Sequence, residues 1–216
     1  MFLALHPSPF MTRCLSCRAN VTNLSLVPVI QRHFPQGVVD KAAYELSTFG
    51  STLDWLRGHF RQVTASEYFP GHPFGQDANG VMNQDVQQLT FADGSFDLVT
   101  SNQVFEHVPD DLRGFRECLR VLRPGGAMIM SVPLRDIPRT IARARLDGAG
   151  EIHFEGEPEY HDSRLGGPLS APVFWHHSLH DVAERVRSAG FSSVELAEVM
   201  LAKVQRKPEL VVYARV

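Results

Sequence analysis

The chain has 216 residues, long enough for one α/β domain with a sizeable core and too short for two large ones. Hydrophobic residues make up 44% and charged residues 21%, an ordinary globular balance, and no apolar run approaches the roughly 20 residues of a membrane span. The formal net charge of −3 gives no pull toward nucleic acid or an anionic membrane, so neither is expected as a partner.

Residues 1–40 read as an N-terminal extension. The opening MFLALHPSPF has neither a basic n-region nor an adequate apolar stretch, so it is not read as a signal peptide. Three cysteines give no disulfide framework, which points to a reducing cytoplasm. Cys14 and Cys17 stand at zinc-like spacing, but a structural zinc needs four ligands and neither His33 nor Cys118 falls at a recognised distance. No metal site is expected there, and a simple turn is the alternative. A helix from Val21 to His33 follows, shortened or kinked by Pro28.

The main domain spans residues 41–216. Ala42–Leu46 reads as a strand and Thr52–Phe60 as a helix with Leu53, Leu56 and Phe60 on one face. Gln62–Ser66 is the second strand, ending at Glu67. Residues 69–79, with Pro70, Gly71, Pro73 and Gly75, read as a loop, and Gly80–Asn83 as a brief third strand. Phe96–Val99 is a buried strand between turn signals. Leu112, Phe115, Leu119 and Leu122 then mark a helix face, closed by Arg123-Pro124-Gly125-Gly126 ahead of a strand over Ala127–Val132. Strand, helix, strand in this order is a right-handed parallel crossover. Residues 135–172 change character and are expected to be an insertion. Arg135, Arg139, Arg143 and Arg145 are expected on a helix after Pro138, either neutralising an anionic ligand or forming a solvated basic face. His176, His177 and His180 suggest metal ligands, but Ser178 ahead of Leu179, Val182 and Val186 reads as a helix N-cap, the helix ending at Gly190. Val194–Leu201 and Leu210–Val216 suit a terminal antiparallel hairpin. The expected architecture is a doubly wound α/β domain with a seven-stranded, mainly parallel sheet whose last strand is antiparallel.

FADGSFDLV at 91–99, EHVPDD at 106–111 and LRVLRPGG at 119–126 together resemble the class I S-adenosylmethionine-dependent methyltransferases of the small-molecule, type 11-like kind. The resemblance implies a Rossmann-like methyltransferase fold, S-adenosylmethionine as cofactor, a small-molecule acceptor, and an insertion at 135–172 serving as acceptor pocket or lid. In that family an acidic residue and a glycine-rich ExGxGxG loop follow the first strand. Glu45 fits the acidic position, whereas Ser47, Phe49 and Ser51 stand at the glycine positions and only Gly50 is available. By the same resemblance Asp85 faces the adenine amino group and the backbone at Val86 a ring nitrogen, with Ser47, Gly50 and Tyr68 also on the cofactor side. Glu67 lies about 20 residues past the first loop, where an acid accepts hydrogen bonds from ribose hydroxyls. Ser101 and Asn102 end a central strand, where open parallel sheets bind ligands. His107 is a candidate to take a proton from the acceptor, or else a histidine holding a loop. Phe105, Arg139, Tyr160 and His161 are candidates to touch the acceptor. The rival expectations are a binding or scaffold module that keeps the fold with a degenerate glycine loop, and a nicotinamide oxidoreductase, disfavoured because GxGxxG is also missing.

Overall fold

The computed structural model describes residues 2–4, 12–16, 18–163, 167, 169–201, 205 and 207–216. Seven strands form the body of the main sheet: β1 (Ala42–Glu45), β2 (Gln62–Glu67), β3 (Val81–Asn83), β4 (Phe96–Asn102), β5 (Leu122–Ser131), β6 (Ser193–Val199) and β7 (Glu209–Arg215). Their order is β6-β7-β5-β4-β1-β2-β3, all parallel except β7, which runs antiparallel to both β5 and β6. This is the expected doubly wound order, with the last strand antiparallel. An eighth strand, Asp77–Ala78, pairs antiparallel with β3 at the edge. It falls within the segment expected to be loop, and it exists because Asn79 and Gly80 both adopt positive φ, 60° and 83°, the requirement of a two-residue hairpin turn.

The helices are α1 (Val21–Leu24), α2 (Leu26–His33), α3 (Ser51–His59), α4 (Asp111–Val121) and α5 (Val182–Arg187). The single helix expected over Val21–His33 is two, divided at Ser25. Pro28 does not break it, because it sits in the first turn of α2, where its missing N–H has no intrahelical partner to lose. Sheet residues alternate between the two faces. Tyr44, Val99, Met128 and Met130 meet Phe115 and Val121 of α4 and Val182 and Val186 of α5. Ala43, Leu98 and Ile129 meet Leu26, Val29 and Ile30 of α2 and Leu56 of α3. Each fully buried Leu or Ile contributes about 1.5–3 kcal/mol of transfer free energy, so α2 is held by the same core as the sheet. Cys118 is fully buried in this core. Cys14 ends a short strand, Thr12–Cys14, paired with Phe2–Ala4, whereas Cys17 lies outside the described residues.

Two expectations for the insertion are corrected. Arg135–Arg145 is not a helix: Ile141–Ala142 pairs with Trp175–His176, and Ala144–Leu146 forms a hairpin with Ile152–Phe154. Arg143 and Arg145 alternate with Ala142, Ala144 and Leu146, a period of two that suits a strand, and the Asp147-to-Gly150 turn closes the hairpin. Ser178 is not a helix cap. It ends the strand Trp175–Ser178, which pairs parallel with Leu134–Arg135, and its hydroxyl donates to the Ile137 carbonyl while accepting from the His180 N–H at 3.0 Å. α5 begins four residues later, with Asp181 at the cap position and its carboxylate taken by Thr140. No helix among the described residues is long and apolar enough to cross a membrane.

Candidate active site

Strand order reverses between β1 and β4, since the chain moves from β1 outward to β3 and then returns to β4 on the other side. At such a switch point the connections diverge and leave a crevice beyond the carboxyl ends of the strands. Glu45 ends β1 there. Its Oε2 accepts from Thr100 Oγ1 at 2.6 Å, and its Oε1 is buried with no hydrogen-bond partner among the described residues. Burial pushes the carboxyl up to about 8, opposed by the Thr100 hydrogen bond and assisted by the Glu67 charge. Ser51 Oγ and Ser101 Oγ are likewise buried and unpartnered.

The loop after β1 departs from a glycine-rich sequence but is firmly held. Glu67 Oε1, at the end of β2, accepts from Ser47 Oγ at 3.1 Å, Thr48 N at 2.6 Å and Thr48 Oγ1 at 2.8 Å. Gly50 then enters α3 with φ 111° and ψ 160°, a region closed to L-residues, and a Cβ there would lie 3.1 Å from Asn23 Nδ2. The one glycine retained is therefore the one the backbone needs. Phe49 is exposed.

Beyond β3, Asp85 makes a local turn, its Oδ1 accepting from Gln87 N at 2.8 Å. Val86 is buried. Tyr68 is exposed, and partial burial together with the Asp85 charge raises its hydroxyl. Asn102, ending β4, donates to Thr52 Oγ1 at 2.9 Å and accepts from Ser131 Oγ at 3.1 Å, joining the first turn of α3 to β5.

Gln103 follows with a left-handed backbone, φ 54°, and turns the chain into the short helix Phe105–His107. Phe105 points inward, fully buried and stacked on Phe115 with centroids 4.4 Å apart, so it has no surface to offer a ligand. Its expected contact with the acceptor is corrected accordingly: the aromatic ring gains more from the core than from the cleft. His107 Nδ1 donates to the Pro172 carbonyl at 2.8 Å, and its Nε2 lies 3.2 Å from His161 Nδ1. Burial lowers its basicity to about 4. Glu106, pushed up to about 8 by burial, was not singled out in the sequence, yet both of its carboxylate oxygens are buried with no hydrogen-bond partner among the described residues.

The insertion folds onto this turn. Phe174 N donates to the Glu106 carbonyl at 2.8 Å and Trp175 Nε1 to the Val108 carbonyl at 2.9 Å. Tyr160–His161 pairs with Ala171–Pro172, bringing Tyr160 and His161 alongside. Three of the insertion's arginines are engaged internally: Arg135 with Glu159, Arg143 with the Glu155 and Glu157 carbonyls, and Arg145 with Glu155. Arg139 is exposed. His176, His177 and His180 take three different carboxylates, Glu159, Asp111 and Asp136.

Glu45 and Glu67 end β1 and β2, Asp85 lies just past β3 and Asn102 ends β4, so these polar side chains gather at the carboxyl ends of the strands. Residues 47–130, under half of the chain, match the family model described as a methyltransferase domain. A sarcosine/dimethylglycine N-methyltransferase of Halorhodospira halochloris is 37% identical over 89 residues, which span 39% of this chain and 31% of that protein. Two crystal structures share the fold. An S-adenosylmethionine-dependent methyltransferase from Mesorhizobium loti has 19% identity and a TM-score of 0.57, covering 88% of this chain and 96% of its own. A 1,6-didemethyltoxoflavin-N1-methyltransferase of Burkholderia thailandensis, with bound 1,6-didemethyltoxoflavin and S-adenosylhomocysteine, has 16% identity and a TM-score of 0.58, covering 90% and 77%.

Proposed function

We propose that this chain transfers a methyl group from S-adenosylmethionine to a small-molecule acceptor. The observation that carries this is the succession of Glu45, Glu67 and Asp85 at the carboxyl ends of neighbouring strands, all but Glu45 inside the segment matching the methyltransferase family. The residues suit such a cofactor. Asp85 is an acceptor matched to an exocyclic amine, next to the backbone of Val86. Glu67 has Oε2 for ribose hydroxyls while Oε1 braces the loop. Glu45 Oε1, Ser51 Oγ and Ser101 Oγ have hydrogen-bonding capacity not used by the described residues, and Ser47, Gly50, Tyr68 and Asn102 border the same strand ends.

When bound, the cofactor supplies a methyl already activated on a sulfonium, so no protein nucleophile is required. The chain's task is to hold the acceptor atom in line and to exclude water. We assign acceptor contact to His107, Tyr160, His161 and Arg139, with residues 135–172 as the lid. Only three cysteines in the chain fit a reducing, cytoplasmic setting.

Calorimetry and native mass spectrometry with S-adenosylmethionine and S-adenosylhomocysteine test the proposal, which expects one equivalent bound and, in a screen with labelled methyl donor, a labelled small molecule. No binding of either compound overturns it. Because serines and Phe49 replace the loop glycines, a binding module without turnover is the second possibility, distinguished by cofactor binding without any labelled product.

A further inference from the structure

We propose that Glu106, His107 and His161 form a binding site for a divalent transition-metal cation. The three potential donor atoms converge: Glu106 Oε1 lies 3.7 Å from His107 Nε2 and 3.9 Å from His161 Nδ1, and the two nitrogens are 3.2 Å apart. A tetrahedron built on metal–ligand bonds of about 2.1 Å has edges of about 3.4 Å, so shifts of a few tenths of an ångström would seat an ion. Two imidazoles and one carboxylate suit zinc, iron(II), manganese or cobalt better than calcium or magnesium.

Two further observations point to a ligand. Both oxygens of Glu106 are buried with no hydrogen-bond partner among the described residues, and a carboxylate in that state is costly unless something completes it. His107 is already oriented as a metal ligand: its Nδ1–H donates to the Pro172 carbonyl, which leaves the Nε2 lone pair facing His161. The 3.2 Å contact then takes its proton from His161 Nδ1. On metal binding that proton moves to His161 Nε2, 4.0 Å from Glu159 Oε1. The hairpin that delivers His161 also delivers Pro172, so folding of the insertion assembles the site. Three protein ligands leave a coordination position free on the side of half-buried His161, the pattern of sites that engage a substrate. Use of that position to hold an acceptor oxygen or nitrogen rests on the proposed methyl transfer; the metal site itself does not.

A second cluster, Asp147, Glu151 and His153, is wholly exposed, and Asp147 is already satisfied by the Ala149 and Glu151 N–H groups and by His153, so it serves as the control. The full chain, stripped with chelator, is titrated with zinc by calorimetry and with cobalt(II) by visible absorption, in the absence of cofactor. The expected result is one equivalent of zinc and a cobalt spectrum of a four- or five-coordinate site. His161→Ala and Glu106→Gln are each expected to weaken zinc by more than about 100-fold, and His153→Ala to leave it unchanged. Thermal melting checks that Glu106→Gln folds, and half-exposed His161 gives the deciding variant if it does not. No zinc heat and no cobalt bands at millimolar metal, or binding that survives His161→Ala, overturns the site. Cofactor binding is measured separately, so loss of the metal site leaves the methyltransferase proposal standing.

Discussion

Asp111 is the fully buried first residue of α4, and removing its carboxylate is expected to be among the most damaging single changes in the chain. Arg185 donates to it twice, Nε to Oδ2 at 2.7 Å and NH2 to Oδ1 at 2.6 Å, and His177 Nε2 lies 3.0 Å from Oδ2. The Arg185 guanidinium also sits over Trp175, 4.4 Å from the ring centroid. Asp111→Ala leaves wholly buried His177 and largely buried Arg185, whose side chain is 22% exposed, without their acceptor. Breaking a buried pair in this way costs about 3–5 kcal/mol, a large part of the roughly 5–15 kcal/mol that holds a domain folded. Asp93, paired with Arg120 but with a side chain 82% exposed, is the contrast, and Asp93→Ala is expected to cost under about 1 kcal/mol. Urea unfolding followed by circular dichroism at neutral pH measures both. Adding Arg185→Met to Asp111→Ala should recover part of the loss, because the orphaned charge goes with it. A cost below about 1 kcal/mol for Asp111→Ala, or one equal to that of Asp93→Ala, would refute the assignment of this cluster as a buried clamp. Burial would raise the Asp111 carboxyl, but hydrogen bonds from His177 and Arg185 and the Arg185 charge hold it below its ordinary 3.8. Its contribution is therefore present above that value and lost as pH falls through the lower folded value.

Asp85→Ala should weaken S-adenosylmethionine binding more than His107→Ala does, by calorimetry, and equal effects would mean the adenine end is misplaced. Gly50→Ala forces a side chain into a positive-φ turn, so a stability loss of about 1–3 kcal/mol is expected in thermal or urea unfolding, together with weaker cofactor binding. The Glu45 carboxyl, raised from 4.5 to about 8, binds a proton in the folded state that the unfolded state has released. Its stabilising contribution is complete below about pH 4.5 and is lost as pH rises through about 8, a change on the order of a few kcal/mol. Glu45→Gln should therefore unfold with less pH dependence over that window, and parallel curves for the two proteins would contradict the shift.

Most of the sheet and its flanking helices were legible in order because their signals are local. The short apolar runs of β1, β4 and β5 follow from strands buried on both faces, and the 3.6-residue spacing in α4 from a helix burying one face. The edge strand at Asp77–Ala78 falls where the sequence reads as loop, because the surrounding prolines and glycines outweigh the hairpin signal of Asn79-Gly80. The two-residue alternation of Arg143 and Arg145 was outweighed by a basic composition that suits a helix surface equally well.

The sequence by itself determined the doubly wound order of elements and the strand-end positions of Glu45, Glu67, Asp85 and Asn102, because a parallel sheet with helices on both faces leaves its ligand crevice at those ends. Tertiary structure decided what the remaining polar residues do. Phe105 and Glu106 are adjacent, yet one ring lies against Phe115 and the other side chain is buried beside two imidazoles, with no hydrogen-bond partner among the described residues. His107 and His161 are 54 residues apart, and Asp111 and Arg185 are 74 apart. No local period encodes such meetings. The first exists because the insertion closes on the turn after β4, and the second because α4 and α5 pack side by side on one face of the sheet.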